Sequence, residues 1–148
     1  MLTEVVWQYT GSSRSILDLY CGSGNFSLAL TQHANVTGID HNGISIMAAT
    51  RKESGEYRVG DESAMKELIA QQAWDTIILD PPRAGAKRIM KSLADSAASQ
   101  ILYVSCDPAT LARDARVLTN KSWKIAEVTA VDMFPNTPHV ETVCVFSR

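Results

Sequence analysis

Ser15-Ile16-Leu17-Asp18-Leu19-Tyr20-Cys21-Gly22-Ser23-Gly24-Asn25-Phe26 is an apolar run that meets a glycine turn and then opens toward a helix. A short run rich in Ile and Leu and closed by glycine reads as a strand covered on both faces. Gly22 and Gly24 let the backbone turn tightly and come close to a ligand. The same alternation recurs outward from this stretch. Strands are predicted at Ser15–Leu19, Asn35–Ile39, Tyr57–Val59, Trp74–Asp80, Gln100–Ser105, Ile125–Val131 and Glu141–Phe146. Helices are predicted near Phe26–Gln32, Ile44–Arg51, Ala64–Gln71, Lys87–Ala98 and Ala109–Leu118. This order predicts an α/β fold: βαβ units and a doubly wound, mostly parallel seven-stranded sheet of the Rossmann-like kind. The last two strands have no helix between them and suit an antiparallel pair at one edge. The loop Asp132–Val140 carries Pro135 and Pro138, which interrupt regular structure.

Size and composition narrow the class. The chain has 148 residues, enough for one domain with a proper core, and 45% apolar with 20% charged residues is ordinary for a soluble protein. No apolar run approaches the roughly 20 residues of a membrane span. Met1 to Thr10 holds an acid, two aromatics and no cationic lead-in, which argues against a signal peptide. Cys21, Cys106 and Cys144 form no C-x-x-C pair, so neither structural zinc nor a disulfide framework is expected, and the reading is a reducing cytoplasm. A net charge of −2 argues against a self-sufficient grip on nucleic acid.

In such a sheet, ligands bind beyond the carboxyl ends of the strands. Tyr20 to Asn25, Asp40, Asp61, Asp80 and Cys106 all fall there. A lone G-x-G is also the mark of a plain structural turn. With Asp40 placed where a carboxylate can bond both ribose hydroxyls, it points instead to a nucleoside-type cofactor. S-adenosylmethionine (SAM) fits better than a dinucleotide, because the third glycine of a pyrophosphate loop is missing. Asp61 is open to two readings, a helix N-cap or a polar contact to adenine.

Cys106 lies in Leu102-Tyr103-Val104-Ser105-Cys106-Asp107-Pro108, where a strand ends and a helix begins. A thiol at a strand tip is where an α/β enzyme keeps a nucleophile, and the helix N-terminus favours its thiolate while Asp107 opposes it. A lone cysteine is otherwise a small core residue, the reading given to Cys144. Beside a methyl donor, a thiolate that adds to uracil carbon 6 makes carbon 5 nucleophilic, and a base must then remove the carbon 5 proton. Glu141 and His139 are both candidates for that base. Asp80-Pro81-Pro82-Arg83 is close to the Asp/Asn-Pro-Pro-aromatic loop of enzymes that methylate exocyclic amines, with Arg83 in place of the aromatic.

Four motifs resemble those of the RNA 5-methyluridine methyltransferases, catalytic domain only. They are Leu17 to Phe26, Leu79-Asp80-Pro81-Pro82-Arg83-Ala84-Gly85, Val104 to Leu111, and Asp132-Met133-Phe134-Pro135-Asn136-Thr137-Pro138-His139-Val140-Glu141. The resemblance implies a class I SAM-dependent methyltransferase fold acting on ribosomal or transfer RNA. It implies Cys106 as nucleophile and Glu141 as base. Tyr20, Asn25, Asp40, Asp61 and Asp80 match SAM-contacting positions, beside Gly22 and Gly24. It also implies a flipped-out uridine. The expected organisation is a single catalytic domain over 1–148, without the family's N-terminal RNA-binding and iron–sulfur regions, so that RNA binding falls to a separate domain or partner. Asp107 stands where the family usually has Asn, and the segment between Asp40 and Asp61 is short. The rival readings are an exocyclic-amine methyltransferase using the Asp-Pro-Pro loop, and a SAM-binding domain inactive without a separate RNA-binding region.

Overall fold

A computed structural model describes residues 2–52, 54–133 and 140–148. The described elements run α1 Leu2–Thr10, β1 Ser15–Leu19, a 3-10 helix Leu28–Gln32, β2 Asn35–Asp40, α2 Gly43–Thr50, β3 Glu56–Val59, α3 Glu62–Gln71, β4 Thr76–Leu79, α4 Met90–Asp95, β5 Gln100–Ser105, α5 Pro108–Thr119, β6 Lys124–Val131 and β7 Glu141–Ser147. Among the described residues the strands form a seven-stranded sheet in the order β3-β2-β1-β4-β5-β7-β6. The first five are parallel, and β7 is antiparallel to both its neighbours. The doubly wound sheet and the antiparallel closing pair follow the sequence expectation.

The central strands bury both faces, which is why they read as unbroken apolar runs. Leu17, Leu19, Ile77, Leu79, Ile101, Tyr103, Cys144 and Phe146 point to the side covered by α3, α4 and α5. Ile16, Ile78, Leu102, Val104, Val143 and Val145 point to the side covered by α1, Phe26 and Leu30. The edge strands differ: β3 and β6 are largely exposed, and β6 carries a register shift between Ile125 and Glu127.

Several boundaries move, each for a local reason. The first predicted helix is a run of turns followed by a 3-10 helix, because Gly24 adopts φ +81 and the chain must return to β2 within a few residues. Trp74 and Asp75 drop out of β4. The Trp74 ring is buried with its Nε1 donating to the Leu68 carbonyl, and Asp75 accepts from the Arg14 and Ser15 amides at 2.7 and 3.0 Å. The helix predicted at Lys87–Ala98 shrinks to Met90–Asp95, with a turn across 87–89. Helix α1 is an addition. Its signal is the i, i+3, i+4, i+7 spacing of Leu2, Val5, Val6 and Tyr9, all packed on the sheet, and Trp7 Nε1 donates to the Phe26 carbonyl at 2.8 Å, bracing the turn after the glycines.

Phe146 is fully buried near the carboxyl end of β7. Phe146→Ala should cost about 3–5 kcal/mol in urea denaturation, and a loss under about 1 kcal/mol would show that β7 is not packed as described.

Candidate active site

The carboxyl ends of the parallel strands share one edge of the sheet, and the predicted residues gather there. Tyr20 follows β1, Asp40 closes β2, Asp61 lies just past β3, Asp80 follows β4 and Cys106 follows β5. Because β7 runs the opposite way, its first residue, Glu141, reaches the same edge. The last pair of the β5–β7 ladder joins Ser105 to Thr142. Cys106 is the next residue outward on one strand and Glu141 on the other, and both are half-buried. His139 lies outside the described residues, so the structure does not bear on it as a rival base.

The glycine turn is built by backbone geometry. Tyr20, Gly22 and Gly24 have φ of 57, 54 and 81°. A Cβ on Gly24 would stand 2.7 Å from Leu28 Cγ, whereas one on Gly22 would meet nothing within 4 Å. Gly24 is thus closed in by packing, while the space beside the Gly22 Cα is open to a ligand. Asp40 holds this turn: its Oδ2 accepts from the Gly22 amide at 3.0 Å and its Oδ1 from the Asn42 amide at 2.8 Å. The carboxylate placed by sequence for ribose therefore also shapes the loop. Asn25 is exposed and accepts from Ser23 Oγ at 3.1 Å.

The N-cap reading of Asp61 is the one the geometry shows. Its Oδ1 caps α3 by accepting from the Ser63 and Ala64 amides at 2.9 and 3.1 Å. It also lines a pocket of about 220 Å³ with Tyr20, His41, Glu62, Met65 and Pro82. Tyr20 Oη donates to Glu62 Oε1 at 3.4 Å and Arg88 Nη1 to Glu62 Oε2 at 3.2 Å, bracing one wall. A larger cavity of about 760 Å³, lined by Ser15, Asn35, Gly55 and Trp74, lies at the opposite ends of the strands, away from this chemistry.

Asp18 is the residue that the sequence reading left without a role. It points to the α1 side of β1 and is fully buried, and neither carboxylate oxygen has a hydrogen-bond partner among the described residues. The nearby Ser27 hydroxyl pairs with Tyr57 Oη at 3.2 Å instead. Burial lifts the Asp18 carboxyl to about 7, opposed by Ser27 and reinforced by Asp80 and Asp40. The signal was an acid inside an otherwise apolar strand. Asp80 keeps an exposed face, yet crowding by protein first and the Glu141 charge second raise it to about 6.

The thiols divide by burial. Cys21 and Cys144 are buried, and burial pushes both up, Cys144 to about 11. Cys106 is the partly exposed one. The Asp107 charge beside it is engaged: Oδ1 accepts from the Ala109 and Thr110 amides at 3.0 and 2.9 Å, and Oδ2 faces Arg83 Nε at 3.5 Å. The Thr110 amide foremost holds this carboxyl below its usual range. Arg83 therefore pairs with a carboxylate. The loop that carries it is anchored by Asp114, which is 1% exposed. Asp114 Oδ2 accepts from the Ala86 amide and Tyr103 Oη, both at 2.7 Å, and Oδ1 from Arg113 Nε and Nη2 at 2.9 and 2.7 Å. An acid on the apolar face formed by Leu111, Ala115 and Leu118 was the sequence signal for this anchor.

Residues 64–148, which hold both Cys106 and Glu141, match the model of the tRNA (Uracil-5-)-methyltransferase family. The chain belongs to this family. Among its uracil-5-methyltransferase relatives, the 23S rRNA (uracil(1939)-C(5))-methyltransferase RlmD of Photobacterium angustum is 40% identical over 90% of this chain and 64% of that protein. RlmD of Pasteurella multocida is 36% identical over 99% of this chain and 36% of that protein. The chain thus spans about a third of the length of several curated relatives it matches. The solved Pyrococcus abyssi tRNA (uracil-54, C5)-methyltransferase, in complex with S-adenosyl-L-homocysteine, is 36% identical, covers 97% of this chain and 37% of that one, and superposes with a TM-score of 0.83. The family and the Rossmann-like methyltransferase fold expected from the four motifs are both borne out.

Asp18 generates a pH prediction. Its carboxyl moves from an ordinary 3.8 to about 7 in the folded chain, and Asp80 shifts in the same direction. The folded state therefore holds these protons more tightly than the unfolded one. The associated stability is present below about pH 4 and is lost as pH rises through about 7. In ligand-free denaturation curves Asp18→Asn should flatten this decline; an unchanged slope would contradict the buried, unpaired carboxyl.

Proposed function

We propose that this chain carries the catalytic unit for SAM-dependent methylation of uridine carbon 5 in structured RNA, ribosomal or transfer. The observation that carries the reading is the pair of strand tips that puts a half-buried thiol, Cys106, beside a carboxylate, Glu141, at the edge where the glycine turn opens. Family membership supports it.

The residues present fit SAM. The Gly22 position has room for a ligand at the carboxyl edge of β1, and the carboxylates Asp40, Asp61 and Asp80 at that edge would favour a cationic group. The Gly22–Gly24 backbone and Asn25 would hold the amino-acid end, Asp40 the ribose, and Tyr20 and Asp61 the adenine end, with Asp80 between cofactor and target base. When bound, SAM supplies an electrophilic methyl group. The Cys106 thiolate adds to uracil carbon 6, which makes carbon 5 nucleophilic toward that methyl. Glu141 then takes the carbon 5 proton. The electron pair of that C–H bond restores the ring double bond, and the carbon–sulfur bond breaks to release the thiolate. The target base reaches the thiol by flipping out of its RNA fold. We assign the reaction to the cytoplasm, consistent with three free thiols and with no helix among the described residues long and apolar enough to cross a membrane. We assign much of the RNA grip to a separate domain or partner, since the curated relatives are longer.

With SAM and 5-fluorouridine RNA, a covalent adduct should form at Cys106, because fluorine cannot leave as a proton. Mass spectrometry locates it. No adduct despite SAM binding would count against the reading. Cys106→Ala should lose turnover and adduct while still binding SAM; retained methylation would favour exocyclic-amine chemistry through the Asp80-Pro81-Pro82 loop. Glu141→Gln should let a methylated adduct accumulate on ordinary uridine RNA, and normal product release would exclude it as the base.

A further inference from the structure

We infer that the chain holds an RNA-backbone track of its own, a cationic strip that starts beside Cys106 and runs along the 83–91 segment into the groove between α3 and α4. This deepens the RNA-methylation reading and rests on it for the choice of partner. The crevice itself is acidic: Asp40, Asp61, Asp80 and Glu141 converge there. A base that enters brings phosphates with it, and within a Debye length of about 10 Å those carboxylates repel them. The flanking backbone therefore needs cations at the rim.

One stretch supplies them. Arg83, Lys87, Arg88 and Lys91 hold four of the chain's 14 Lys and Arg within nine residues, and no acid lies between Pro81 and Ala94. The net charge of −2 averages this strip away. Arg83 is 73% exposed at its side chain and touches Asp107, the residue after the thiol. Arg88 is 80% exposed and touches Glu62 at the mouth of the small pocket. Exposed pairs of this kind are weak, so both guanidiniums are available to phosphate at little cost. Lys87 and Lys91 are exposed and make no ion pair among the described residues. Lys91 and Lys66 flank a groove of about 580 Å³ between α4 and α3, which Asp95, paired with Lys121 at 3.1 Å, also lines. The strip stands on a fixed base, because Asp114 and Arg113 bind the loop backbone at Ala86 and Ala84.

The test is fluorescence anisotropy of the full chain with a fluorescein-labelled RNA hairpin carrying a uridine loop, across a potassium chloride series. K87E/K91E should weaken binding about 10-fold at low salt and make the slope of log affinity against log salt shallower by about 1–2. SAM affinity should stay within about two-fold, which also reports that the variant is folded. K87A/K91A should fall between parent and K87E/K91E. R51E/K52E makes the same charge change at the end of α2, remote from the crevice, and should bind RNA like the parent. The proposal is overturned if K87E/K91E binds like the parent, if R51E/K52E weakens binding as much, or if the parent shows no salt-sensitive binding. The two readings fail separately. An adduct at Cys106 with unaffected K87E/K91E binding removes the track and leaves methylation standing. Salt-sensitive binding lost in K87E/K91E, with no adduct in the parent, keeps the track and removes the methylation reading.

Discussion

The reversal of one strand sets up the whole site. Five parallel strands deliver their carboxyl ends to one edge, and each contributes a residue on leaving the sheet. A sixth parallel strand would bring only its own carboxyl end there. β7 is inserted antiparallel between β5 and β6, so its amino end arrives instead. That brings Glu141, which belongs to the far end of the sequence, to the tip that carries Cys106. The interaction that enforces this is the β5–β7 ladder, six residue pairs from Gln100–Ser147 to Ser105–Thr142, sealed by Phe146, Cys144, Val143 and Val145 on the two faces. A one-residue slip would turn every one of those side chains to the wrong layer.

Charge is arranged in two zones around this edge. Inside, carboxylates crowd together, and only Asp40 and Asp61 are held by backbone amides. Asp18 has no hydrogen-bond partner among the described residues, and Asp80 is lifted by its surroundings and by Glu141. Such unrelieved acid is costly for an empty fold and makes sense where a cationic ligand is to be bound. Outside, on the α3–α4–α5 side, acids and bases are matched or bases predominate. Asp107 and Asp114 show the contrast. Both are acids near the loop after Asp80, and each is fully engaged by amides, a hydroxyl or a guanidinium. They act on geometry: one caps the helix after the thiol, the other fixes the loop after Asp80.

Much of this was legible in the residues. Unbroken apolar runs such as Ile77-Ile78-Leu79 and Ile101-Leu102-Tyr103-Val104 marked central strands. Glycines and prolines marked the breaks, and the sites fell at strand ends by topology alone. Element ends were less legible. Trp74 and Asp75 read as strand by propensity but serve the core and a turn, and Lys87 to Ile89 read as helix but form the turn before it. Helix α1 carried its signal in the spacing of Leu2, Val5, Val6 and Tyr9, a face that acquires meaning only when the sheet is there to receive it.

The sequence by itself determined the fold class, the order of the motifs and the identity of the candidate thiol, because hydrophobic period, glycine turns and helix caps are local and need no partner to be read. Only the tertiary structure decided that Asp18 is buried without a hydrogen-bond partner among the described residues, that Asp107 spends its charge on a helix end and Arg83, that Asp114 anchors the loop after Asp80, and that Glu141 stands beside Cys106 at the strand tips. Each of these depends on which distant segment packs against the residue. A carboxylate has the same formula in water, in a cap or in a core, and its charge, pKa and role are settled by the neighbours that folding brings to it.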